Sequence, residues 1–130
     1  MTRLLLITLL LLSNGPAYGK WIEFIGSDQV GVTVYVDPDT IHRNGDLVKM
    51  WYLVDFKTVQ TVEGVSYLSS TGQNEFNCAE EHIRVLVFTH FSGNMGHGDA
   101  VYTYSGEQQW EPVAPRTVNQ RLWKAGCSKK

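Results

Sequence analysis

Leu47-Val48-Lys49-Met50-Trp51-Tyr52-Leu53-Val54-Asp55-Phe56 decides the fold, because it is apolar on both sides of a two-residue period. Val48, Met50, Tyr52, Val54 and Phe56 fall on one face, and Leu47, Trp51 and Leu53 on the other. A strand with two apolar faces belongs in the middle of a sheet or under a covering element. Upstream, Val30, Val32, Val34 and Val36 alternate with Gly31, Thr33 and Tyr35, the pattern of a half-buried strand. Asp37-Pro38-Asp39 ends it, its aspartates placed to cap backbone amides, and Asn44-Gly45-Asp46 marks a turn before the next strand. Trp21 to Ile25 alternates weakly and reads as a first strand at an edge.

Downstream, Thr58 to Thr71 is more polar, with Glu63-Gly64 as a hairpin connection or loop. Gln73 to Cys78, Glu81 to Ser92 and Ala100 to Tyr104 read as extended segments. Ser92-Gly93-Asn94-Met95-Gly96-His97-Gly98 holds three glycines in seven residues and reads as a loop, with Met95 turned inward. Pro112 and Pro115 then interrupt any sheet ladder. Val118, Leu122 and Ala125 recur at helical spacing, so a short helix over Thr117 to Ala125 is expected, with Gly126 as its stop. The fold class is α+β and mainly β.

The N-terminus reads differently. Arg3 precedes the apolar run Leu4 to Leu12, Ser13-Asn14-Gly15-Pro16 breaks it, and Ala17-Tyr18-Gly19 offers small residues to a signal peptidase. Residues 1–19 are therefore expected to be a signal peptide and residues 20–130 one domain. The run is too short to span a bilayer, and no later segment is long and apolar enough to do so. No cysteine follows it to carry a lipid, which favours periplasmic or secreted residence over anchored display at the cell surface. Without Arg3, ten basic and thirteen acidic residues leave a formal charge of −3, which gives no electrostatic case for nucleic acid or anionic membrane.

Cys78 and Cys127 are the two cysteines, and export would place both in an oxidising compartment that favours pairing them. Free thiols or a redox pair are the alternatives, although redox pairs sit closer together in sequence. A disulfide would close a loop of roughly fifty residues and contribute about 4 kcal/mol by the chain-entropy model. It would also pin the C-terminal helix to whichever strand carries Cys78.

Taken in order, these segments resemble the surface-adhesin protein E family of exported Gram-negative proteins. The carriers are Trp21, Val34-Tyr35-Val36-Asp37 with Thr40-Ile41 and Arg43, Val48-Lys49-Met50-Trp51, and Asn77-Cys78. They continue with Ser92-Gly93-Asn94-Met95-Gly96 and Gly98, Trp110-Glu111-Pro112-Val113 with Pro115, and Cys127. The resemblance implies an antiparallel sheet with a C-terminal helix tethered to one face by a disulfide. It also implies a non-enzymatic, adhesin-like module that binds extracellular-matrix or envelope proteins, and a homodimer is compatible with it.

The residues themselves offer little catalytic chemistry. His90, His97 and Asp99 surround the glycine loop but lack the clustering of a metal site, and no Gly-x-Ser-x-Gly elbow is present. Neither an enzyme nor a cofactor is expected. Trp21, Trp110 and Trp123 are the candidate binding surface, while Trp51 is assigned to the core. The competing function is a periplasmic carrier of a small ligand or haem, held in a groove between helix and sheet.

Overall fold

The computed structural model describes residues 20–25, 31–106 and 108–128. The signal peptide expected over residues 1–19 lies outside the described residues. Eight strands form one antiparallel sheet: β1 (Ile22–Ile25), β2 (Val32–Val36), β3 (His42–Asn44), β4 (Leu47–Val62), β5 (Val65–Asn77), β6 (His82–Phe91), β7 (Ala100–Ser105) and β8 (Glu111–Pro112). The spatial order is β1-β2-β4-β5-β6-β7, with β3 also pairing β4 and β8 also pairing β6. A single helix, α1 (Val118–Ser128), follows at the C-terminus of the described residues. The fold is α+β and mainly β, as the two-residue period predicts, and β4 occupies the middle of the sheet.

Register sorts the side chains into two faces. Val48 lies opposite Phe76 and Met50 opposite Asn74 on β5, while Val36 lies opposite Tyr52 and Phe76 opposite Ile83. Directly opposed residues share a face, so these make one apolar surface, and α1 packs on it. Val36, Val48, Met50, Phe76, Ile83, Val113 and Leu122 form the buried core, with Phe24, Ile41, Trp123 and the two cysteines against it. The cysteines are joined, Cys78 to Cys127, with Cα atoms 5.6 Å apart. Thr117 caps the helix by accepting the Gln120 amide at 3.2 Å, and Arg43 from β3 donates to the Cys127 carbonyl at 2.8 Å.

Of the two readings for Glu63-Gly64 the hairpin holds, and one helix expectation is corrected. The polar stretch is strand on both sides of that turn, and near the turn β4 and β5 continue past their neighbours as a two-stranded arm. Glu63 (φ 50°) and Gly64 (φ 80°) form its turn, the pair of positive φ values that matches strand twist in a tight hairpin. The arm is largely exposed, Val59 at 58% and Val62 at 48%. Gly126 does not stop the helix but sits inside it, buried against the sheet. A Cβ there would stand 3.1 Å from Met50 Cε and 3.4 Å from Val48 Cγ1, so glycine is what lets the last turn approach. Cys127 consequently lies within the final turn and not beyond it.

Candidate functional site

The second face of the sheet carries the odd-numbered residues of β4. Trp51 lies opposite Gln73, Leu53 opposite Thr71, and Asp55 opposite Ser69, with Phe91 of β6 opposite Ser69 in turn. The glycine loop folds down onto this surface. Asp55 Oδ1 accepts from the Met95 amide at 2.7 Å and from Asn94 Nδ2 at 3.1 Å. Ser69 Oγ donates to the Gly93 carbonyl at 2.6 Å and accepts from the Gly96 amide at 2.8 Å. Met95 and Gly96 both adopt positive φ, at 57° and 74°. A Cβ on Gly96 would lie 3.6 Å from Leu53 Cδ1, so the loop rests directly on the fully buried Leu53.

A second loop meets it from the far side. Pro38–Thr40 form one turn of 3-10 helix, capped by Asp37 Oδ1 accepting from the Asp39 amide at 3.1 Å. Thr40 Oγ1 donates to the Asp37 carbonyl at 2.6 Å and accepts from the Trp51 amide at 3.1 Å, tying the turn to β4. Between these two loops lies a cavity of about 610 Å³, mainly apolar, with Trp21, Trp51, Phe91 and Met95 as its larger walls. Asp37, Thr40, Thr71, Gly96 and His97 complete the lining. A space of that size is typical of ligand and anchor sites.

One ion pair on this face is closed by an aromatic ring. Arg84 donates Nε and Nη2 to Glu75 Oε1 at 2.9 and 2.7 Å, and its guanidinium lies 4.4 Å above the Trp110 ring. Burial first, then the charges of Asp55 and Glu23, push the Tyr35 hydroxyl above its ordinary range. On the helix face, burial pushes Tyr52 up to about 12. Its ring lies across Gly72, where a Cβ would stand 2.5 Å from Tyr52 Oη.

The three tryptophans assigned to a binding surface do not meet. Trp21 lines the cavity, and Trp110 lies beneath Arg84. Trp123 packs on the core of the opposite face and donates Nε1 to the Asn77 carbonyl at 2.9 Å. Trp51, assigned to the core, is half-buried and forms a cavity wall instead. The signal for it was present in the odd-numbered face of β4, where Trp51 and Leu53 stand together. His90 and His97 lie on opposite faces: His90 stacks on Tyr67 at 3.9 Å, whereas His97 lines the cavity. The groove between α1 and the sheet encloses about 230 Å³, so the roomier space is on the other face.

These features define a mainly β domain with one disulfide-tethered helix and an aromatic cavity on the face opposite the helix. The chain belongs to the surface-adhesin protein E family, whose sequence model matches residues 21–128. No curated protein sequence matches it. In three dimensions it is similar to crystal form II of Haemophilus influenzae protein E, with TM-score 0.59 and 16% identity over 83% of this chain and 87% of that one. It is also similar to protein E from non-typeable Haemophilus influenzae, with TM-score 0.56 and 16% identity over 87% of this chain and 80% of that one. At that identity the likeness concerns the fold.

Proposed function

We propose that the protein is a non-catalytic, adhesin-like binding module of the bacterial cell envelope. It is exported by cleavage after Gly19, and it recognises extracellular-matrix or envelope proteins. The family supplies the class, and the cavity between the glycine loop and the Asp37–Thr40 turn is the observation that carries the reading. Its walls offer aromatic and thioether surface for anchoring a partner side chain, the kind of pocket in which binding energy concentrates. No helix among the described residues is long and apolar enough to cross a membrane.

The test immobilises residues 20–130 and measures binding to purified matrix proteins by surface plasmon resonance. Saturable binding that Trp51→Ala weakens by at least about tenfold, a typical cost for a central aromatic anchor, is the expected result. The reading fails if no matrix or envelope protein binds, or if a folded Trp51→Ala protein binds equally well. The cavity volume favours one second reading, a carrier of a small apolar ligand. Native mass spectrometry of the purified protein distinguishes it, because a carrier would retain a molecule of defined mass.

A further inference from the structure

The cavity has a chemical asymmetry. Asp37 is a wall residue only 6% exposed, and its carboxylate is short of partners. Oδ1 accepts from the Asp39 amide, and no described residue donates to Oδ2. Thr40, which also lines the cavity, has its hydroxyl committed in both directions, to the Asp37 carbonyl and the Trp51 amide. Among the described residues, no lysine or arginine lines the cavity. A carboxylate oxygen that opens into a mainly apolar cavity and has no donor among the described residues is a counter-charge for a cation placed there. Beside it stand the rings of Trp21, Trp51 and Phe91, whose faces attract cations.

The same sheet face carries a completed version of this arrangement. Glu75, 5% exposed, holds the Arg84 guanidinium by two hydrogen bonds to Oε1, and the guanidinium lies over the Trp110 ring at 4.4 Å. Carboxylate, guanidinium and indole there make a closed set. Among the described residues, the cavity presents the carboxylate and the indoles without the cation. Its volume of about 610 Å³ accommodates a long cationic side chain together with parts of its neighbours.

We propose that this cavity receives a cationic side chain, an arginine or lysine presented by a protein partner. The proposal rests on the binding-module reading and specifies its chemistry. Asp37 supplies the counter-charge, Trp21 and Trp51 the stacking surface, and Met95 and Phe91 the packing for the aliphatic stem. Charge-assisted hydrogen bonding and cation–π attraction act together in such a site.

The test follows the indole Nε1–H signals of the four tryptophans by NMR while Nα-acetyl-arginine amide is titrated into residues 20–130. The neutral near-isostere Nα-acetyl-citrulline amide is titrated in parallel. Asp37→Asn is the matching variant, because asparagine keeps the Oδ1 acceptor for the Asp39 amide and preserves the turn. Arginine amide should shift Trp21 and Trp51 and leave Trp110 and Trp123 unmoved, binding roughly tenfold tighter than citrulline amide. Asp37→Asn should erase that difference. Equal binding of the two amides, shifts confined to Trp110 or Trp123, or no shift with arginine amide would overturn the proposal. Unaltered matrix-protein binding by Asp37→Asn would likewise overturn it while leaving the binding module intact. Arginine selectivity without any matrix-protein binding would uphold the cationic pocket and remove the module reading.

Discussion

The two faces of the sheet are closed by different physics. On one, α1 excludes water with Leu122 and Gly126 pressed onto Val48, Met50 and Phe76, and a covalent bond holds it there. On the other, an eight-residue loop is held by hydrogen bonds to Asp55 and Ser69 and leaves an aromatic cavity beside it. The first closure is dense where Gly126 meets Val48, Met50 and Phe76. The second is directional, so it fixes a shape without filling it. Stability is concentrated under the helix, and the surface available for recognition lies under the loop, where binding residues generally gather.

The largest effect should come from breaking the tether. Cys127→Ser frees a loop closed across a sequence separation of 49, and the chain-entropy model puts the loss at about 4 kcal/mol. Urea unfolding followed by tryptophan fluorescence reads it directly. An unchanged midpoint would mean that the apolar contacts of Leu122 and Gly126 dock the helix unaided, and the contrast between the faces would then rest on packing alone.

A smaller change targets the other face. Ser69→Ala removes a buried hydroxyl that serves the Gly93 carbonyl and the Gly96 amide at once. Leaving those two backbone groups without their partner should cost about 1–3 kcal/mol. More telling is where the effect appears. Hydrogen exchange at the Gly96 amide should accelerate while amides of α1 stay protected. If helix and loop amides speed up together, the two closures are one cooperative unit and the comparison fails.

The same contrast explains what was readable in the chain. The helix face was legible because its signal is local: Val34, Val36, Val48 and Met50 repeat at two, and Val118 and Leu122 at helical spacing. The disulfide followed from two cysteines and an expected oxidising compartment. Gly126 was misread because glycine at a helix end usually stops the helix, and only the approach to Met50 Cε shows that it serves packing instead. Glu63-Gly64 was readable as a hairpin connection, but the length of its strands was not, because the tip around Val59 and Val62 is exposed and needs no alternation. The cavity was the least legible part. Its roof depends on bonds from Met95 to Asp55 and from Gly96 to Ser69, forty and twenty-seven positions apart, and no window of sequence contains both ends. Trp51 looked like core for the same reason: its covering loop was unknown.

The finest test of the comparison lies where the helix face runs out. Beyond α1 that face continues as an aromatic surface on which His90 stacks against Tyr67 at 3.9 Å and leans toward Phe88 and Tyr102 at 5.0 and 5.8 Å. Burial among these rings lowers the His90 pKa. The bond between Ser70 Oγ and His90 Nδ1 does not oppose charging, since Ser70 Oγ can donate to the Thr89 carbonyl and accept from a protonated ring. A histidine depressed in the folded state binds protons less readily than in the unfolded chain. It therefore contributes stability above the unfolded pKa of about 6.5, and that contribution falls away as pH drops through the folded value. His90→Phe keeps an aromatic ring on Tyr67 and removes the titration. Unfolding curves at pH values on either side of that window should show the wild type losing stability on acidification and His90→Phe losing less. Identical slopes would mean that this end of the face is wet enough to charge freely, and that the dry closure stops at the edge of the helix.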